Sequence, residues 1–228
     1  SNALGIVTVS LKIKDRISSE YGYKNINTIY NPIAINEILS QSEQQIELDY
    51  DYVISLGRMD DSVKQFDKLI MAYAESSLPV KKIKLVILGD GFLRAELQQQ
   101  VKTHNLQDLI VFLGWQKNPF AYIKNAKFTV LSSQNEGFGT VLIESLACAT
   151  PVVAFDCLSG PSEIIQDRKN GLLVENQNFE KLTQAMNLMI EDVALYQTCK
   201  QNAVVSVQQF SLENIGNQWL NYLKINVS

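Results

Sequence analysis

The 228-residue sequence contains a single histidine, His104, and three cysteines, Cys148, Cys157 and Cys199, with no CxxC pair among them. One histidine excludes a His-ligated zinc site and argues against a Ser-His-Asp triad. His104 follows the segment Glu96 to Thr103 and reads as a surface residue at a helix end. Three cysteines without a pairing pattern offer no disulfide framework, which points to a reducing, cytoplasmic setting, and each reads as a small core residue rather than a nucleophile. No run approaches 18 uninterrupted apolar residues and the N-terminus lacks the regions of a signal peptide, so no membrane span or leader is expected. Positive charge is also scarce: 20 Lys and Arg stand against 24 Asp and Glu, for a net charge of -4. A phosphate-backbone surface needs clustered cations, so nucleic acid is excluded as a partner.

What is present is an ordinary globular composition, 46% hydrophobic and 19% charged, in a chain long enough to bury a substantial core. From residue 51 the pattern is regular. Apolar runs predict strands over 51–57, 83–89, 109–113, 127–131, 151–155 and 171–174. Helical periodicity falls between and after them, over 64–77, 91–103, 119–124, 139–148, 161–166 and 178–190. Strands that are apolar throughout and alternate with helices predict an α/β fold: a doubly wound, Rossmann-like parallel sheet of about six strands, covered on both faces. Two more helices are expected over 193–208 and 211–225. The stripe Ile215, Trp219, Tyr222 and Leu223 on the last one reads as core.

Before residue 51 the pattern is thinner. GIVTVS at 5–10 and INTIY at 26–30 read as strands, with a helix from Ser10 to Tyr21 closed by Gly22. Residues 33–50, rich in Gln and Glu, read as a linker with one helical turn. Ser1-Asn2-Ala3 looks like a scar of tag removal and carries no fold information.

The stretch SSQNEGFGTVLIESLACATP, from Ser132 to Pro151, organises the rest. A strand enters a glycine-bearing turn and the turn enters a helix, which aims backbone N–H groups and the positive helix end at one spot suited to a phosphate. Glu136 lies in the turn and Glu144 on the helix, where Thr140 and Glu144 share a side by the i, i+4 rule. An acid beside a phosphate would repel it, so the two acids are better placed to hold hydroxyls on either side. A ligand with a central diphosphate and a sugar at each end fits.

The spacing Glu136, seven residues, Glu144, written EGFGTVLIE and followed by SLACATPVVA, resembles the signature of retaining glycosyltransferases of family 4, which have the GT-B fold. Gly57-Arg58 with Lys64, Gly89-Asp90-Gly91, VFLGW, SGPSEII and NGLLV follow the same family order, so the resemblance spans roughly residues 51–174. It implies that Arg58 and Lys64 contact a donor diphosphate, although the family spaces the pair by five positions and here the gap is six. It implies that Glu144 accepts hydrogen bonds from the ribose and that Glu136 holds the transferred sugar. Backbone amides of Gly137, Phe138, Gly139 and Thr140 would surround the sugar and the distal phosphate. Groups just past Gly114 would read the base, and Trp115 could cover the base or sit in the core. Gly57 and Gly89 let the backbone approach the ligand, and Asp90 can cap the next helix or touch the ligand. Glu163 reads as an N-terminal residue of its own helix.

The implied enzyme is a hexosyltransferase that needs no metal and no cofactor. Arg58, Lys64 and Glu136 would carry catalysis, with a UDP-sugar donor favoured over a GDP-sugar and a glycan or lipid-linked acceptor, as in bacterial cell-surface polysaccharide synthesis. Two carboxylates could also serve a glycosidase, but a diphosphate cradle has no role in simple hydrolysis. A nucleotide-sugar epimerase of the same superfold, or a binding module without turnover, stays as an alternative. Residues 4–32 resemble the end of a first, acceptor-binding domain, so the chain is expected to be a donor half, residues 51–228, that is inactive alone. Peripheral association with a membrane through the missing domain stays open.

Overall fold

The computed structural model describes residues 5–225. Ser1-Asn2-Ala3, the expected scar, lie outside the described residues, as do Leu4 and residues 226–228.

The chain begins with a small parallel pair, β1 (Ile6–Thr8) and β2 (Ile26–Thr28), joined by α1 (Leu11–Tyr21). Ser10 caps α1 by accepting from Ile13 N, and Gly22 ends it at φ 70°, a left-handed value that favours glycine. The expected linker holds more structure than one turn. Ile35–Ser42 forms α2, and its Ile35 and Ile38 are buried in the main core.

Six parallel strands follow: β3 (Tyr52–Leu56), β4 (Lys84–Leu88), β5 (Ile110–Gly114), β6 (Thr129–Leu131), β7 (Val152–Phe155) and β8 (Gly171–Val174). Their spatial order is β5-β4-β3-β6-β7-β8, with every neighbouring pair parallel. Side chains alternate between two apolar layers, as the period of two requires. Val53, Leu85, Ile87, Val130, Val153 and Phe155 enter one layer with α3 (Phe66–Glu75), α4 (Arg94–Thr103) and α8 (Phe179–Glu191). Tyr52, Ile54, Leu56, Val86, Leu88, Val152 and Ala154 enter the other with α2, α5 (Phe120–Asn125) and α6 (Thr140–Ala147). Both faces are therefore dry, which is why the strands read as unbroken apolar runs. The remaining helices are α7 (Pro161–Ile164), α9 (Val193–Ser206), which reaches both layers through Cys199 and Ala203, and α10 (Leu212–Leu223).

Two helix expectations shift. α4 begins at Arg94 rather than 91, and its N-cap position, Leu93, makes no side-chain capping bond. Asp90 instead braces the turn, accepting from Gly91 N at 2.9 Å and from Arg94 at 2.9 Å. On α10 only Ile215 is buried, while Trp219 and Leu223 stay partly exposed, so the expected core stripe is a surface face. That helix runs back toward the first strand: Ile33 pairs with Ser211, and a Cβ on Gly5 would lie 2.8 Å from the Tyr222 hydroxyl.

The chain winds outward from β3 to β5, then returns to place β6 against the other side of β3. The carboxyl ends of β3 and β6 thus flank the topological switch point, where open α/β sheets bind ligands. The backbone there is tightly fitted. At Gly89, φ is 131° and an added Cβ would stand 1.9 Å from the Gly57 carbonyl oxygen. Gly89→Ala is expected to lower unfolding free energy by roughly 2–4 kcal/mol in urea denaturation. Gly137→Ala, with no atom within 4 Å of the added carbon, is expected to change it by less than about 0.5 kcal/mol.

Candidate functional site

Because all six strands are parallel, the loops leaving β3, β4, β5 and β6 open on one edge of the sheet. Gly57-Arg58, Gly89-Asp90, Trp115 and the Ser132–Gly139 turn all lie there. Of the residues singled out in the sequence, Gly57, Arg58, Gly89, Asp90, Trp115 and Glu144 line one opening and Glu136 lines a second.

The first is a cavity of about 310 Å³ lined by Gly57, Arg58, Gly89, Asp90, Trp115 and Glu144, with Leu56, Leu88, Pro119 and Val141 as apolar walls and Gln116 beside them. Trp115 is 71% exposed, so it stands at the rim of this cavity and not in the core. Arg58 is freer still, its side chain 82% exposed and paired with Asp60 at 3.0 Å. Glu144 is half-buried among apolar neighbours and has no hydrogen-bond or ion-pair partner among the described residues. Burial pushes its carboxyl up from the usual 4.5 to about 7. An acid held in an apolar cavity without a partner is costly, and such groups concentrate at functional sites.

The second opening, about 440 Å³, lies between α1 and the turn after β6, with Lys12, Arg16, Asn135, Glu136 and Ser159 in its walls. Here Lys64 donates to Glu136 at 2.6 Å, both side chains being largely covered at 20% and 13% exposure. The six-residue gap between Arg58 and Lys64 is absorbed by a 3-10 turn over Ser62–Lys64, which Asp61 caps through Val63 N. Lys64 therefore sits on that turn, ahead of α3, and its stem packs on Gly57 at about 3.0 Å from where a Cβ would stand. Ser132 fixes the turn from below by donating to the Lys64 carbonyl at 2.8 Å, and Gln134 N donates to the Val63 carbonyl at 2.8 Å.

Gly139, at φ 86°, begins α6, and no side chain caps that helix. Leu142 N already donates to the Gly139 carbonyl at 2.9 Å, which leaves the Thr140 and Val141 amides for an anion. Phe138 is buried against Tyr30 and Phe210, so only its backbone can face a ligand. His104 is exposed at the end of α4, which runs back from the site, so it lies toward the opposite edge of the sheet. Gln116, Pro119, Asn135 and Ser159 were not singled out in the sequence. Adjacency could have marked three of them: Gln116 follows Trp115, Asn135 precedes Glu136, and Ser159 opens the SGPSEII stretch.

The sequence model of the family described as glycosyl transferases group 1 matches residues 37–205, well over half of the chain. The chain belongs to that family. It is 36% identical over 200 residues to a Campylobacter jejuni enzyme, "N-acetylgalactosamine-N,N'-diacetylbacillosaminyl-diphospho-undecaprenol 4-alpha-N-acetylgalactosaminyltransferase", covering 88% of this chain and 54% of that protein. It is 28% identical over 221 residues to the poly(ribitol-phosphate) alpha-N-acetylglucosaminyltransferase of Staphylococcus aureus, covering 95% and 43%. Among solved structures it superposes on a point mutant of S. aureus TarM in complex with UDP, alpha-GlcNAc-glycerol and fondaparinux at a TM-score of 0.82, with 28% identity, covering 96% of this chain and 43% of that one. Anabaena HepE in complex with UDP gives a TM-score of 0.84 at 24% identity, which bears on the fold. These are GT-B glycosyltransferases, and the six-stranded parallel sheet flanked by helices is shared with them. The chain spans about half the length of the curated relatives it matches.

Glu144 supplies a pH test of this geometry. Unfolded, its carboxyl titrates near 4.5, and folded, near about 7, so folding takes up a proton between those values and stability falls as pH rises through that window. At pH 8 the cost is on the order of 3 kcal/mol at most. Glu144→Gln is expected to raise stability by about 1–3 kcal/mol more at pH 8 than at pH 5, read by denaturation at the two pH values.

Proposed function

We propose that the chain is the donor-binding half of a retaining glycosyltransferase of family 4. It takes a hexose or N-acetylhexosamine from a nucleotide-diphosphate sugar for transfer to a glycan or lipid-linked acceptor in bacterial cell-surface polysaccharide synthesis. The observation that carries this reading is Glu144: a carboxylate with no partner among the described residues, in an apolar cavity at the switch point, eight residues after a second acid that is paired to a lysine.

The flat base lies against the apolar walls under Trp115, and Glu144 accepts from the ribose hydroxyls. The diphosphate crosses from the first opening to the second, passing the uncapped start of α6, Arg58 and Lys64. Glu136 holds the hydroxyls of the transferred sugar. As the sugar–phosphate bond breaks, charge builds on the departing diphosphate, and the two cations with the α6 amides stabilise it in place. No divalent ion is needed for that task. The acceptor hydroxyl attacks on the face the leaving group departs from, and the donor phosphate takes its proton. The acceptor side is supplied by a preceding domain of which residues 4–32 are the end, so the isolated chain binds donor without transferring sugar. UDP is favoured as the nucleotide, in line with the UDP named in the TarM and HepE complexes.

Calorimetric titration of UDP, GDP and ADP tests the reading. UDP is expected to bind best, unchanged by EDTA, and to lose at least tenfold in affinity in Glu144→Ala. No Glu144-sensitive binding of any of the three would end it. A protein extended to the length of its relatives and incubated with donor alone should release free sugar slowly, whereas an epimerised nucleotide sugar would mark the epimerase instead.

A second test uses acidity. Hydroxyls that donate to Glu144 favour its charged form, so binding must first release the proton held below about pH 7. Affinity for a nucleotide sugar is therefore expected to rise up to about tenfold between pH 6 and pH 8 in the wild type. In Glu144→Gln it should stay flat.

A further inference from the structure

The segment after β7 touches both the turn that bears Glu136 and the unit formed by β1, α1 and β2. Its contacts converge on Glu163, on the short helix α7. Glu163 Oε1 accepts from Ser10 Oγ at 2.6 Å, and Oε2 accepts from Leu11 N at 2.7 Å and from the Tyr30 hydroxyl at 3.0 Å. α1 has no acidic residue in its own first turn. The negative charge that a helix start favours is thus supplied by an acid more than 150 positions away in the sequence.

Four residues earlier, Ser159 grips the other side. Its hydroxyl donates to the Glu136 carbonyl and, at 3.3 Å, to the Gly137 carbonyl. Gly160 lies so close to the turn that an added Cβ would stand 1.9 Å from the Phe138 carbonyl oxygen. The Phe138 ring stacks on Tyr30 at 5.0 Å and 19°, which closes a ring of contacts back to Glu163. The cavity beside Glu136 is walled by α1 on one side and this turn on the other. Packed and charge-assisted contacts of this kind shift together rather than one at a time.

We propose that Glu163 is a positioning residue that locks the start of α1 to the Glu136–Gly139 turn, so that the two walls of that cavity hold one spacing and move as a unit. The coupling does not depend on what the cavity binds. A carboxylate suits the task because it accepts from three donors at once. Glu163→Gln keeps the shape but removes the charge that strengthens all three bonds, and it turns an amide NH2 toward Ser10 Oγ, which must then accept where it had donated.

Backbone 15N relaxation of the whole chain tests the coupling. In Glu163→Gln the amides at the start of α1 and those of residues 136–139 are both expected to fall from the rigid range near about 0.85 toward 0.6 in order parameter, with α8 unchanged. Tyr30→Phe, which loses one hydrogen bond, should give a smaller change of the same sign in both places. Ser159→Ala should loosen residues 136–139 and leave α1 rigid. If Glu163→Gln and Tyr30→Phe loosen α1 alone, or if the loss spreads evenly across the sheet and α8, the proposal is overturned.

Discussion

A parallel sheet with both faces buried leaves one place where its loops can meet a ligand, beyond the carboxyl ends of the strands. Everything at the site follows from that constraint. β3 and β6 lie side by side while the chain diverges from them in opposite directions, so the loops after them border a crevice that helices do not fill. Glycines line it because backbone there passes close to backbone, as Gly89 does to Gly57 and Gly160 to Phe138.

The charges set in this crevice do not serve stability. Glu144 is kept half-buried without a partner at a cost to folding that grows with pH, and Lys64 and Glu136 neutralise each other in a largely covered pair. A chain selected only to fold would replace the first with an apolar residue. Under the proposed function, an anionic diphosphate flanked by hydroxyl-rich sugars would give both features a purpose: Lys64 would gain a second negative partner, and each acid would gain donors. The interval from Glu136 to Glu144 thus carries both a costly half-buried acid and the motif that resembles a family, as expected where function and folding compete.

The sheet was legible because short unbroken apolar runs that alternate with helical segments fit strands covered on both faces, and all six appear where the runs predict them. α2 was harder to see. Ile35 and Ile38 carry helical spacing, but the Gln- and Glu-rich sequence after them reads as solvated linker. Asp90 looked like a helix cap because it precedes a helical pattern, yet two glycines flank it and the chain spends three more residues turning before α4 begins. The Trp219 stripe has core periodicity, but its helix lies on the surface. At the site, Glu136 and Glu144 were visible from spacing within one turn and helix. The Lys64–Glu136 pair and the Glu163 contacts join residues 72 to 153 positions apart, and no local pattern encodes them.

The most direct measurement is a crystal structure of the chain soaked with a UDP-sugar. The ribose hydroxyls should lie within hydrogen-bond distance of Glu144, the diphosphate over the start of α6, and the sugar hydroxyls at Glu136. A ligand seated away from the β3–β6 crevice, or a ribose held elsewhere while Glu144 stays without a partner, would contradict the account.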